Sequence, residues 1–112
     1  QLPLYVTETG IGLHDRPGAH GIEDDDRIDY LRQHLAAVLD ARGDGVDVRG
    51  LFVWSLLDGL SWANGSEKRY GLCYVDYETG ARTPKKSAEW LADLARSRLM
   101  LTTSSVERGA LV

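Results

Sequence analysis

Two short, almost continuous apolar runs constrain the fold of this chain more than any other feature of its sequence. Residues 4–7 and 51–57 are each too short for an isolated helix, and neither shows the alternation of a strand with one solvated face. Strands of a parallel sheet have this character, because helices cover both sides of the sheet. The two runs therefore predict strands that are buried on both faces, in a protein of the α/β class.

The residues between and after these runs predict two helices and a hairpin. Residues 27–42 form an amphipathic helix whose apolar stripe consists of Ile28, Leu31, Leu35, Val38 and Leu39. Residues 74–82 predict a hairpin that turns at residues 78–80. A second helix is expected to begin near Thr83, whose hydroxyl can cap it, with Pro84 in the first turn.

Strand–loop–helix units in series are typical of a (β/α)8 barrel or of a doubly wound sheet. A barrel needs eight such units and about 250 residues. This chain has 112 residues and supplies two strand–helix units. A barrel interpretation therefore implies an incomplete sheet whose other strands come from elsewhere.

The composition argues against two classes of partner. The net charge is −4 and basic residues are scattered, so no positive face is offered to nucleic acid. No apolar run is long enough to cross a membrane. The single cysteine, Cys73, fits a reducing compartment, and we expect a cytoplasmic protein. The first residue is Gln1 rather than Met, and a strand follows at once, so we expect further sequence upstream.

Ligand-type side chains do not form a recognisable metal or cofactor site. Acidic residues 23–26 predict a solvated loop, and His14, His20 and His34 lack the spacing of metal ligands. The glycines of residues 10–12 resemble part of a dinucleotide loop, but the third glycine is missing and no helix begins there. We therefore expect neither a metal nor a cofactor.

Candidate chemical groups follow the two predicted strands, since parallel α/β folds place chemistry at the carboxyl ends of their strands. Glu8 follows the first strand, and Ser55, Asp58, Ser61 and Trp62 follow the second. A carboxylate at a strand end can also simply pair with an arginine. Position alone therefore leaves the role of Glu8 open.

At these strand ends the sequence resembles glycoside hydrolase family 1. Residues 7–10 read T-E-T-G, where the family has T-E-N-G around its nucleophile. Residues 27–31 match R-I-x-Y-L and residues 52–58 match F-x-W-S-L-x-D. The likeness covers roughly residues 3 to 96 and continues, in the family's order, through residues 68–72, 74–77 and 83–88.

The resemblance implies the last two strand–helix units of a (β/α)8 TIM barrel. Residues 1–98 would be the C-terminal part of that barrel, and residues 99–112 would be a tail that we expect to be disordered. The partners implied are the missing N-terminal barrel units and a small glycoside substrate. We call a protein in which those units precede this chain the completed barrel.

The resemblance also implies a role for Glu8 as the catalytic nucleophile of a retaining β-glycosidase. That mechanism needs a second carboxylate about 5 Å away as acid and base. In the family this glutamate lies in an N-E-P motif, which does not occur in this sequence. Thr9 departs from the family's asparagine. We therefore expect these residues alone not to turn over substrate.

Residues 60–62 read L-S-W, where ordinary β-glucosidases of the family have F-E-W. A glutamate there would repel a sugar 6-phosphate, whereas hydroxyl and ammonium groups bind it. Ser61, Lys68 and Tyr70 resemble the phosphate-binding loop of 6-phospho-β-galactosidases and 6-phospho-β-glucosidases, and Trp54 and Trp62 would stack on the sugar. The alternatives are a plain β-glucosidase, or a non-catalytic remnant that completes another polypeptide's barrel.

Overall fold

The computed structural model of the chain describes residues 2–97, so the predicted tail 99–112 lies outside the described residues. Two strands flank a long helix, and a hairpin precedes the second helix. The elements in chain order are β1 (Leu4–Thr9), α1 (Asp25–Gly43), β2 (Val48–Val53), β3 (Cys73–Val75), β4 (Arg82–Pro84) and α2 (Lys86–Ser97).

β1 and β2 form a two-stranded parallel sheet, with Leu4 paired to Val48, Val6 to Leu51 and Thr9 to Val53. The predicted parallel pairing is therefore confirmed, and α1 makes the crossover between the strands. Within residues 2–97 neither strand has a second neighbour, and the sheet does not close into a barrel.

The predicted burial of both strands on two faces is wrong for the described chain. The Tyr5 side chain is 55% exposed and that of Phe52 57%. One neighbouring strand and two helices cannot cover both faces of a sheet, because a barrel strand is covered by an outer helix and by the side chains of strands across the barrel. The apolar sequence of the strands thus matches a larger sheet than residues 2–97 form.

Three predicted element boundaries also differ. β1 extends to Thr9, so Glu8 lies inside the strand, and β2 ends at Val53, so Trp54 begins the loop after it. The helix expected at Thr83 begins instead at Lys86. Thr83 and Pro84 are used by β4, which pairs antiparallel with β3 and leaves proline at the end of its strand.

The predicted hairpin turn is confirmed at residues 76–80. The Gly80 backbone, at φ +73°, donates to the Asp76 carbonyl at 2.7 Å. The Asp76 carboxylate accepts hydrogen bonds from the backbone N–H groups of Thr79 and Glu78, which lower the pKa of Asp76 below that of an ordinary aspartate. This side-chain-to-backbone bonding fixes the turn locally.

A cluster of buried charges joins the hairpin, both helices and the loop after β2. Its members are Asp15, Asp24, Arg27, Asp58, Arg69 and Lys85. Lys85 is fully buried and contacts Asp15 at 2.6 Å and Asp58 at 2.7 Å. Arg27 pairs with Asp24 and Asp15. Three cations and three carboxylates balance, as buried charges require.

The predicted solvated loop at residues 23–26 is therefore wrong for Asp24, which is buried. Its carboxylate accepts from the backbone and the hydroxyl of Ser87 at 2.8 and 2.5 Å, and it pairs with Arg27. The aspartate thus ties the start of α1 to the start of α2. Only its partners, 3 and 63 positions away in sequence, decide its burial.

Removing the Lys85 ammonium should destabilise this cluster strongly. We expect Lys85→Met to lower the free energy of unfolding of the completed barrel by about 3–5 kcal/mol, because the buried cluster then holds three carboxylates and only two cations. Lys86→Met is the matched control. Its ion pair with Asp25 raises the pKa of Lys86 but is exposed, so its loss should hardly change stability. Chemical denaturation of both variants checks this, and equal effects would contradict it.

No helix within residues 2–97 is long and apolar enough to cross a membrane. Large apolar side chains are nevertheless exposed on the two strands and the loop after them, including Leu4, Phe52, Leu56 and Leu60. The unpaired edges of β1 and β2 lie beside this surface. Surface of this kind associates unless another part of the protein covers it.

Expressed alone, the 112 residues should therefore be aggregated or molten, not a cooperative monomer. Light scattering after gel filtration and near-ultraviolet circular dichroism measure this, with the completed barrel as the folded control. A monodisperse monomer with one sharp thermal transition would show that the prediction is wrong.

Candidate active site

A recess of about 1060 Å³ lies at the carboxyl ends of β1 and β2. Most of the site residues predicted from the sequence line it, namely Glu8, Trp54, Ser61, Trp62 and Tyr70. Tyr30 and His34 of α1 line it too. Their rings stack with centroids 3.9 Å apart, and nothing in the sequence pattern marked either residue as part of this recess.

The ends of the two parallel strands bring Glu8 and Trp54 to the same recess. The Trp54 backbone N–H donates to the Thr9 carbonyl at 2.8 Å. Gly10 permits this approach, because a Cβ atom at position 10 would lie 2.0 Å from the Trp54 carbonyl oxygen. The hydroxyl of Thr9 is buried and has no hydrogen-bond partner among residues 2–97. The position of Glu8 at the recess therefore follows from the pairing register of β1 with β2 and from the close backbone approach that Gly10 permits.

Two carboxylates line the recess in the described part of the chain, and their surroundings differ. Glu8 is exposed to solvent. Asp58 is buried and accepts from Lys85 at 2.7 Å, from Arg69 at 3.1 Å and from the Gly71 backbone at 2.9 Å. A carboxylate bound on all sides is not free to attack a substrate. Asp58 thus holds the loop after β2, and Glu8 is the carboxylate in this recess that is open to solvent.

The last residues of the loop after β2 pair with its first residues, and this pairing brings Tyr70 to the recess. The Ser55 N–H donates to the Tyr70 carbonyl at 3.2 Å, and the Leu72 N–H donates to the Ser55 carbonyl at 2.8 Å. Gly12 leaves room for the Tyr70 ring, since a Cβ atom there would lie 2.5 Å from the ring. Residues distant in sequence thereby frame one wall of the recess.

A tight turn at residues 61–65 presents Ser61. The backbones of Ser61 and Gly65 exchange two hydrogen bonds of 2.9 Å, and Gly65 adopts φ +57°, which favours glycine. Asn64 lies inside this turn and contacts both Ser61 and Tyr70 through its side-chain amide. The Asn64-Gly65 dipeptide is a turn signal in the sequence, but the contact to Tyr70 has no such signal.

The remaining predicted residues are placed less closely. Lys68 is half-buried and does not line the recess. Trp62 is fully exposed and Trp54 is 54% exposed, so the described residues cover only part of the Trp54 surface and leave Trp62 uncovered. No group of three or more His, Cys, Asp or Glu side chains within residues 2–97 could hold a metal ion. Of the residues predicted from the sequence, the recess brings together the Glu8 carboxylate, the hydroxyls of Ser61 and Tyr70, and the indole rings of Trp54 and Trp62.

Comparison with known proteins identifies relatives over most of the chain. A family model described as "Glycosyl hydrolase family 1" matches residues 1–100. A 6-phospho-β-galactosidase from Streptococcus mutans is 50% identical over 97 residues, covering 87% of this chain and 21% of the relative. Another from Staphylococcus aureus is 53% identical over 97 residues, covering 85% and 21%. The chain thus spans about a fifth of the length of these relatives.

Solved structures give the same result. A psychrophilic β-glucosidase from Micrococcus antarcticus matches with a TM-score of 0.82 at 48% identity, over 85% of this chain and 20% of that one. The family 1 β-glucosidase from Thermotoga maritima matches with a TM-score of 0.82 at 39% identity, over 88% and 22%. The described fold is therefore similar to one piece of each of these larger structures.

Proposed function

From the premise that this chain belongs to glycosyl hydrolase family 1, we propose that it is the nucleophile-bearing C-terminal part of a retaining β-glycosidase. The observation that carries the proposal is the recess itself. It joins an exposed carboxylate, Glu8, with the rings of Trp54 and Trp62 at the carboxyl ends of parallel strands. Aromatic faces bind the C–H faces of sugars, and the carboxylate attacks the anomeric carbon.

In this proposal Glu8 forms a covalent glycosyl intermediate as the leaving group departs. A second carboxyl group protonates the leaving oxygen and then takes a proton from the water that releases the sugar. Asp58 is occupied by ion pairs and cannot take that role. The acid and base must therefore come from the units that complete the barrel, and no cofactor or metal is needed.

We further propose a 6-phospho-β-galactoside or 6-phospho-β-glucoside as the substrate. Ser61 and Tyr70 present hydroxyls at one wall of the recess, and neither adds a negative charge. Lys68 lies two residues before Tyr70. Its four-carbon side chain can reach the substrate phosphate once the other barrel units cover the recess. The names of the two 6-phospho-β-galactosidases at 50% and 53% identity support the same substrate class. Because sugar phosphates are charged and stay inside cells, the proposal places the enzyme in the cytoplasm.

A plain β-glucosidase is the second candidate, and one observation favours it. Lys68, the only cation in the proposed phosphate set, does not line the recess in residues 2–97. The β-glucosidase from Micrococcus antarcticus is also 48% identical to this chain. A third candidate is a non-catalytic remnant that completes another polypeptide's barrel through its exposed strand faces.

One measurement separates the first two candidates. The catalytic efficiency of the completed barrel is compared on matched nitrophenyl β-glycosides with and without a 6-phosphate. We expect a strong preference for the phosphorylated substrate. A ratio near one would support the plain β-glucosidase, and no cleavage of either substrate would support the remnant.

A further inference from the structure

Asn64 lies between the two hydroxyls of the proposed phosphate site. Its side-chain Nδ2 donates to the Ser61 hydroxyl at 3.4 Å and to the Tyr70 hydroxyl at 3.2 Å. Its backbone N–H also donates to the Ser61 hydroxyl, at 3.3 Å. One residue therefore contacts both groups, and all three contacts run in the same direction.

The direction of these contacts has a chemical consequence. A hydroxyl oxygen has two lone pairs and one proton. At Ser61 both lone pairs accept from Asn64, so the remaining capacity is one O–H donor. Tyr70 likewise accepts from the amide, and its own proton is free to point elsewhere. Because an amide NH₂ group only donates, Asn64 leaves both neighbours as donors.

We infer that Asn64 is a positioning residue that orients the Ser61 and Tyr70 hydroxyls as hydrogen-bond donors toward an anionic group of the substrate. This inference rests on the proposed 6-phosphate specificity and adds its physical basis. Phosphate oxygens only accept hydrogen bonds, so donors already oriented toward them need no reorganisation on binding. A neutral sugar hydroxyl can both donate and accept, so its binding depends less on having two donors oriented toward it.

The turn of residues 61–65 fixes the position of Asn64 between Ser61 and Tyr70. The reciprocal 2.9 Å hydrogen bonds between Ser61 and Gly65 fix the backbone on both sides of it. Tyr70 is restrained independently, because its ring packs against Gly12 and its carbonyl accepts from Ser55. Asn64 is half-buried. It therefore bridges two separately anchored segments instead of following one of them.

The test compares three variants of the completed barrel on the matched nitrophenyl glycosides. Asn64→Asp has the shape of asparagine but accepts from both hydroxyls and adds a charge. We expect its efficiency on the 6-phospho-glycoside to fall about a hundredfold, mainly through KM. Asn64→Leu removes the donors without a charge and should lose about tenfold. In both variants the efficiency on the plain glycoside should fall less than that on the 6-phospho-glycoside, so the ratio of the two efficiencies should fall.

Ser66→Asp is the control for charge. It places a carboxylate on an exposed residue two positions along the chain, and should change the efficiency on phosphorylated substrate less than about threefold. Inhibition by the free sugar 6-phosphate, compared with the free sugar, gives a readout of binding that does not depend on turnover. Its inhibition constant should rise in Asn64→Asp in step with KM.

Three outcomes overturn the inference. A parent with a strong 6-phosphate preference that Asn64→Asp leaves intact would contradict the role of Asn64 while sparing the proposed function. Equal losses on both substrates would mean that Asn64 only supports the loop. If Asn64→Leu fails to fold, the isosteric aspartate variant decides. A parent without preference would remove the proposed specificity and this inference together.

Discussion

In the completed barrel, Glu8→Ala should lower turnover on the order of 10⁴-fold or more, with little change in substrate binding. The reason is that in the proposed mechanism this carboxylate forms the covalent intermediate, and no other free carboxylate lines the recess in residues 2–97. Steady-state kinetics measure the loss, and binding of a competitive sugar inhibitor shows whether the recess is intact.

Restoration of cleavage by azide tests specifically whether Glu8 is the nucleophile. A small anion can occupy the space left by the side chain and attack the anomeric carbon, giving a glycosyl azide of inverted configuration. We expect azide to restore cleavage in Glu8→Ala and not in the parent. Glu67→Ala is the matched control, since Glu67 is exposed and does not line the recess. A loss smaller than about tenfold in Glu8→Ala would show that Glu8 is not the nucleophile.

The second large effect concerns the charge at the proposed phosphate site. Ser61→Glu should reverse substrate preference, because a carboxylate at the recess wall repels phosphate and can bind free sugar hydroxyls. Lys68→Met should cost about ten- to a hundredfold in efficiency on the 6-phospho-glycoside, the equivalent of one charge-assisted hydrogen bond of roughly 1.5–3 kcal/mol. Plain glycosides should hardly respond to the loss of Lys68.

Lys68→Met also tests where the Lys68 side chain lies in the completed barrel. Lys68 does not line the recess within residues 2–97, so an effect confined to phosphorylated substrate would mean that it reaches the substrate when the barrel is complete. Lys86→Met again serves as the control, as an exposed lysine on α2. A preference ratio that neither Ser61→Glu nor Lys68→Met changes would make plain β-glucosidase the better interpretation.

Local sequence signals predicted the elements whose causes are local. The stripe from Ile28 to Leu39 predicted α1, and the turn residues near Gly80 predicted the hairpin. The apolar runs predicted parallel strands. The motif around Glu8 placed that residue at a strand's carboxyl end, because strand periodicity and family motifs are properties of consecutive residues.

Long-range contacts decided the rest. Asp24 reads as part of a solvated acidic loop, yet Arg27 and Ser87 make it a buried link between two helices. Thr83 and Pro84 read as a helix start, yet pairing with β3 takes them into a strand. In both cases a partner distant in sequence, Ser87 for Asp24 and β3 for Thr83 and Pro84, forms contacts that no pattern of consecutive residues indicates.

The sequence by itself determined the class of fold, the order of its elements and the candidate residues of the site. Only the tertiary structure decided that Asp58 is bound by Lys85 and Arg69, while Glu8 stays open to solvent. Only the tertiary structure placed Asn64 between Ser61 and Tyr70. The physical reason is that composition and periodicity specify which groups a segment carries. The direction and partner of each hydrogen bond depend on segments that meet only when the chain folds.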